Sequence, residues 1–285
     1  MLSFGIKTAP MHAGYDEIRR VWREADDLPE IEHAWLWDHL LPLAGPPGGP
    51  AYEGWTLLAA LAAQTERLKL GVLVTSNRLR PPAVLAKIAA TVDTVAPGRL
   101  VMGLGVGGTH QPAPNPAVAE YAAYGLTLVS PAEGIARLDE TCTILRRLWT
   151  EEIVDFAGPY TVLAKAFCAP KPAAPIPLLI GGWGDRTLRV VAGQADLWNV
   201  PGPPHQPVEV IAERDQVLRR QCAAIGRDPD EIIRSVQTHV SYADPDATID
   251  TVRRLAAIGF THIVLNLPRP YPRMRWLAER VIQRV

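Results

Sequence analysis

Asp38 and His39 stand side by side where an apolar run, residues 31–37, ends abruptly. A histidine in that position can give or take a proton, with Asp38 as the group expected to orient it. A second apolar run, residues 100–104, passes into Gly103, Gly105, Gly107 and Gly108, whose backbone has no side-chain cover. Bare backbone at a strand end suits a flat ligand lying against a sheet. Gly181-Gly182-Trp183-Gly184 precedes a helical pattern, and the free N–H groups of a helix start bind phosphate oxygens. Asp185 is placed to cap that helix itself, which would compete with an anion, and Arg186 is placed to offset the charge.

Other chemistries are poorly provided for. The two facing acids of a glycosidase are missing from the strand ends. The first strand reads Phe4-Gly-Ile-Lys7, without the His-x-His pair of a metal hydrolase, so no metal is expected. Schiff-base chemistry would rest on Lys7 alone, with nothing evident in the sequence to depress its pKa. His110 and His239 are lone histidines, and His110 joins Trp37 and Trp55 as a candidate wall of a substrate pocket.

These residues need a scaffold that brings strand ends together. The chain has 285 residues, 48% hydrophobic and 21% charged, with a formal net charge of -1. That composition gives no electrostatic reason to expect nucleic acid or an anionic membrane as partner. Cys142, Cys168 and Cys222 are odd in number and lack CxxC spacing, which fits a reducing cytoplasm better than a disulfide framework. The N-terminal residues read as a strand, not as a signal peptide.

Strands are expected over residues 2–7, 31–37, 68–75, 100–104, 177–180, 195–200, 233–240 and 261–267. Helices are expected over 15–26, 55–65, 81–95, 131–149, 185–192, 208–225, 247–258 and 273–284. Pro81-Pro82 opens one as proline at a first turn should. Residues 109–130 read as a long loop. Residues 151–175 interrupt the alternation, with 154–162 patterned as a small hairpin. Eight short apolar strands alternating with eight helices predict a single α/β domain over residues 1–285, a (β/α)8 TIM barrel with that insertion between its fourth helix and fifth strand. A doubly wound open sheet is the alternative.

Several motifs occur in one order along the chain: Trp37-Asp38-His39, Ala59-Ala-Leu-Ala-Ala-Gln-Thr-Glu-Arg67, Arg80-Pro-Pro82, Gly98-Arg-Leu100 with Gly103-Leu-Gly105, Gly181-Gly182 and Ala195-Asp-Leu-Trp-Asn199. Together they resemble the luciferase-like family of flavin- or deazaflavin-dependent oxidoreductases and monooxygenases. The resemblance implies coenzyme F420 (8-hydroxy-5-deazaflavin) or FMN as cofactor, hydride transfer or oxygen activation on a small organic substrate, and a homodimer.

It also implies roles. His39 would lie beside the reactive carbon of the ring and move a proton. A cis non-prolyl peptide would fall around Val72-Leu73 and bulge against the ring, with Thr75 at the ring edge. Gly105, Val106 and Gly107 would face the ring, and Gly181, Gly182, Trp183 and Gly184 the phosphate. The chain departs from the pattern at Gly108, where some deazaflavin dehydrogenases carry an acid that partners the histidine. No basic cluster stands out to hold an oligoglutamate tail. A barrel that holds a cofactor or ligand without turnover, and a redox-independent lyase or isomerase working through His39, fit the same residues.

Overall fold

The computed structural model describes residues 1–110 and 116–285. The chain alternates β1 (Ser3–Lys7), α1 (Tyr15–Asp26), β2 (His33–Leu36), α2 (Gly54–Ala62), β3 (Lys69–Val72), β4 (Thr75–Ser76), α3 (Pro82–Val95) and β5 (Met102–Gly105). It continues through α4 (Pro116–Ala123), α5 (Pro131–Thr150), β6 (Val154–Ala157), β7 (Val162–Ala166), β8 (Leu178–Gly181) and α6 (Asp185–Gln194). The last part is β9 (Leu197–Pro201), α7 (Val208–Ala224), β10 (Ile233–His239), α8 (Pro245–Ala257), β11 (His262–Asn266) and α9 (Met274–Arg280).

Local chemistry accounts for the elements. Helix α1 buries Ile18, Val21, Trp22 and Ala25, one face at helical spacing. Helix α3 begins with proline, and Ser130 caps α5 by accepting the Glu133 N–H. The strands bury both faces, as parallel strands between a barrel interior and a helical layer must.

Neighbouring strands run in the order β3-β2-β1-β11-β10-β9-β8-β5-β4, all parallel. Strands β3 and β4 are two halves of one stave, separated at Leu73-Val74. Leu70 pairs in parallel with Leu100, just ahead of β5, and closes the ring. The result is the eight-staved (β/α)8 barrel, and the open doubly wound sheet is excluded. Trp35, Leu73, Val101, Leu179, Leu197 and Val264 fill the interior, while the larger apolar layer lies between strands and helices.

Strands β6 and β7 form the antiparallel hairpin of the insertion, its second strand reaching Ala166, farther than the pattern suggests. A larger difference concerns residues 109–130, expected to be loop throughout. They contain helix α4, followed by Gly125 at φ +65°. Residues 111–115 of that stretch lie outside the described residues.

Candidate active site

The strands' C-terminal ends open onto a cavity of about 550 Å³. Asp38 and His39 line it from the end of β2, Val74 to Ser76 from the broken stave, Gly105 to Gly108 from β5, and Gly181 to Trp183 from β8. Helix α4 adds Glu120 and Tyr121.

Asp38 does not serve His39. Its buried carboxylate takes both terminal nitrogens of Arg80, at 2.7 and 2.9 Å, and the Ser76 N–H at 3.0 Å. It therefore ties the end of β2 to β4. Burial pushes the Asp38 carboxyl up, and Arg80 is the cation that counters this. Arg80 in turn bridges to Glu53, the N-cap of α2. An acid that must hold a buried guanidinium is committed to structure.

The partner of His39 is Glu120, whose Oε2 lies 3.3 Å from Nδ1. Glu120 is 4% exposed, and it also accepts the backbone N–H groups of Leu40 and Leu41. Burial by itself would raise this carboxyl, but the bonds from His39 and the two amides outweigh it and hold it below the usual glutamate value. A buried acid thus reaches His39 from α4, the helix that follows Gly108. The pattern that reveals α4 is proline at its first position and glycine beyond its last.

The cis peptide lies at Leu73-Val74, one residue later than expected around Val72-Leu73. Val72 and Leu73 are buried in the barrel wall, and Val74 is the residue that lines the cavity. Its side chain settles between two glycines. A Cβ at Gly105 would come within 2.5 Å of Val74 Cγ2, and one at Gly181 within 3.0 Å of Val74 Cγ1. Gly107 sits at φ +79° with Ser76 Oγ 2.3 Å from its would-be Cβ, and Gly108 faces the Tyr121 ring. These glycines, read from sequence as a floor for a flat ring, are bare chiefly because protein side chains occupy the space.

Thr75 is buried and accepts a bond from Trp55 Nε1. Trp55 is 2% exposed, a core residue and not a wall of this cavity. His110 is exposed, with its backbone N–H bonded to Val129 O, and it is not among the lining residues described. Trp37 lines a second cavity, of about 570 Å³, which shares Pro201 and Gln237 with the first.

At β8 the chain turns through Gly182, at φ +135°, into α6. The N-cap is Gly184, with no side-chain cap bond. Asp185, expected as the cap, is the first helical residue, and Arg214 takes its carboxylate at 2.8 Å. Asp185 therefore does not occupy the N–H groups of the helix start. Gly182, Trp183 and Thr187 present this helix start to the cavity.

A family model described as luciferase-like monooxygenase matches residues 1–282. An F420-dependent glucose-6-phosphate dehydrogenase of Intrasporangium calvum is 31% identical over 269 residues, which cover 92% of this chain and 76% of that protein. Among solved structures, a coenzyme F420-dependent tetrahydromethanopterin reductase of Methanopyrus kandleri superposes with TM-score 0.80 at 18% identity, covering 99% of both chains. A monooxygenase of Streptomyces bottropensis superposes with TM-score 0.78 at 20% identity, again covering 99% of both.

Proposed function

The chain belongs to the luciferase-like monooxygenase family, and on that premise we propose that it is an oxidoreductase holding F420 or FMN in the first cavity. The residues present fit such a group. Val74, seated between Gly105 and Gly181, offers an apolar face at the barrel mouth, and the uncapped start of α6 offers N–H groups to a phosphate. The bound cofactor supplies the hydride or oxygen chemistry that the side chains lack.

The observation that carries the proposal is the His39–Glu120 pair. A charged Glu120 accepts from Nδ1, so the neutral imidazole keeps its proton there and presents Nε2 as a base. His39 then takes the proton of a substrate hydroxyl as the carbon is oxidised, or returns one in the reverse direction. Glu120 stabilises the imidazolium and fixes the tautomer. Of the two cofactors we favour F420, because an acid-backed histidine serves a dehydrogenase and the 31% identical relative is F420-dependent.

The site residues are Asp38 and Thr75 as structural supports, Gly105 to Gly107 and Gly181 to Gly184 at the cofactor, and His39 with Glu120 at the reacting atoms. The chain is proposed to act as one domain and as a homodimer, and its three unpaired, buried cysteines support a reducing cytoplasm. Among the described residues no helix is long and apolar enough to cross a membrane.

Fluorescence titration with FMN and with F420 tests the proposal. Binding of one at micromolar concentration is expected, and binding of neither overturns it.

A further inference from the structure

Lys7 ends β1 with its Nζ bonded to Gln237 and 5.8 Å from the centre of the Trp37 ring. Gln237 donates to Asn199 Oδ1 at 3.3 Å, Asn199 donates to Ser235 Oγ at 2.8 Å, and Ser235 lies 2.8 Å from His262 Nδ1. Every donor in this chain points away from Lys7, so Gln237 can only accept from the ammonium. That anchors Lys7 and leaves two of its three N–H donors unspent.

No carboxylate pairs with Lys7 among the described residues, and burial draws its pKa down to about 8. The cavity it lines carries Arg269, His12, His205 and His239 as well, and none of its lining residues is acidic. Arg269 donates to Met11 O at 3.4 Å and lies 3.7 Å from Glu17, both long contacts. The strand register sets Asn266 between Lys7 and His239, and Asn266 Oδ1 is buried with no hydrogen-bond partner. A cation without a counter-charge and an acceptor without a donor face the same space. Both costs are removed by a ligand with the opposite groups.

We propose that this second cavity takes the substrate, and that the substrate is a small hydroxylated organic anion whose carboxylate or phosphate sits on Lys7 and Arg269 while a hydroxyl donates to Asn266. Its assignment to a redox substrate rests on the first cavity being the cofactor's, which it adjoins, Pro201 and Gln237 lining both.

Lys7 is one of five lysines, so protein labelled with [ε-13C]lysine gives a short spectrum in which Lys7→Met assigns the signal. Titration with inorganic phosphate and with malate, with glycerol as the neutral control, distinguishes the two anionic groups. The Lys7 signal is expected to shift and saturate at about millimolar anion, with Lys69, Lys87, Lys165 and Lys171 showing no saturation. Arg269→Ala and Asn266→Ala should each weaken the response, and Lys7→Met should lower malate or phosphate affinity about tenfold to a hundredfold by calorimetry. A Lys7 signal that moves no more than the other four overturns the proposal. Cofactor titration of the same sample separates the two claims. Cofactor binding without a Lys7 response overturns the anion pocket alone. A saturating Lys7 response with neither FMN nor F420 bound overturns the cofactor assignment and, with it, the pocket's role in a redox reaction.

Discussion

Glu120 Oε2 lies 3.3 Å from His39 Nδ1, with the carboxylate buried under Leu40 and Leu41. Glu120→Gln removes the charge while keeping size and an acceptor. Turnover should fall about tenfold to a hundredfold, and His39→Ala by a hundredfold or more. The double variant should be no slower than His39→Ala, because the two act as one unit. Imidazole 15N spectra provide a readout independent of substrate: one Nδ1–H tautomer in the native protein, a mixture in Glu120→Gln. The depressed carboxyl contributes stability that is present above the usual glutamate value of 4.5 and lost as pH falls below it. The acid limb of a denaturation profile should therefore be shallower in the variant.

Asp38 and Arg80 form a buried pair, with side chains 1% and 11% exposed. Removing the cation leaves a carboxylate with nowhere to go, so Arg80→Ala should cost about 3–5 kcal/mol by chemical denaturation. Arg80→Lys keeps the charge but loses the two-pronged geometry and should cost less. Burial already raises the Asp38 carboxyl, and loss of Arg80 would raise it further. A carboxyl whose folded pKa is raised is penalised as pH climbs, so Arg80→Ala should be more destabilised at pH 8 than at pH 5. Equal losses at both would show that Arg80 does not move the titration of Asp38 within that pH range.

Apolar alternation was enough to expose the barrel, since both faces of its strands are buried and helical spacing marks the cover. His39, the Gly181 turn and the first-strand Lys7 were also visible as residue types at strand ends. Their partners were not. Glu120 lies eighty-one residues from His39 on an eight-residue helix, too short for a periodic signal. Asp38 looks like the natural mate of His39 because it is adjacent in sequence, but both residues lie beyond the end of β2 and the Asp38 carboxylate is taken by Arg80 and the Ser76 N–H. The low pKa of Lys7 comes from surroundings contributed by β10 and β11, which only the closed barrel assembles.

Val74 is held between Gly105 and Gly181, and this contact can be crowded in a controlled way. A Cβ at Gly105 would lie 2.5 Å from Val74 Cγ2, so Gly105→Ala should cost about 1–3 kcal/mol by overpacking and weaken cofactor binding. Gly181→Ala, at 3.0 Å, should be milder. On a Val74→Ala background the Gly105→Ala penalty should fall below about 1 kcal/mol, a coupling read by a double-mutant cycle. Additive losses would mean that Gly105 is bare for another reason.

His33 and His262 stack inside the barrel with ring centroids 3.8 Å apart, and both are held neutral. Burial lowers His262 to about 4, and burial followed by the nearness of His262 takes His33 well below 6.5. Ser235 accepts from Asn199, so its hydroxyl proton goes to His262 Nδ1. A protonated His262 would present a second donor there and oblige the directed chain leading back to Lys7 to reverse. The folded pKa lies below the unfolded one, so the contribution is fully present above pH 6.5 and is lost as pH falls toward 4. The shift of His262 corresponds to about 3 kcal/mol at most. Denaturation free energies at pH 7.5, 6 and 5 should therefore decline in the native protein and decline less in His262→Gln, whose amide can bond Ser235 without titrating. Parallel slopes in the two proteins would place the acid sensitivity elsewhere, with His33 the next group to replace.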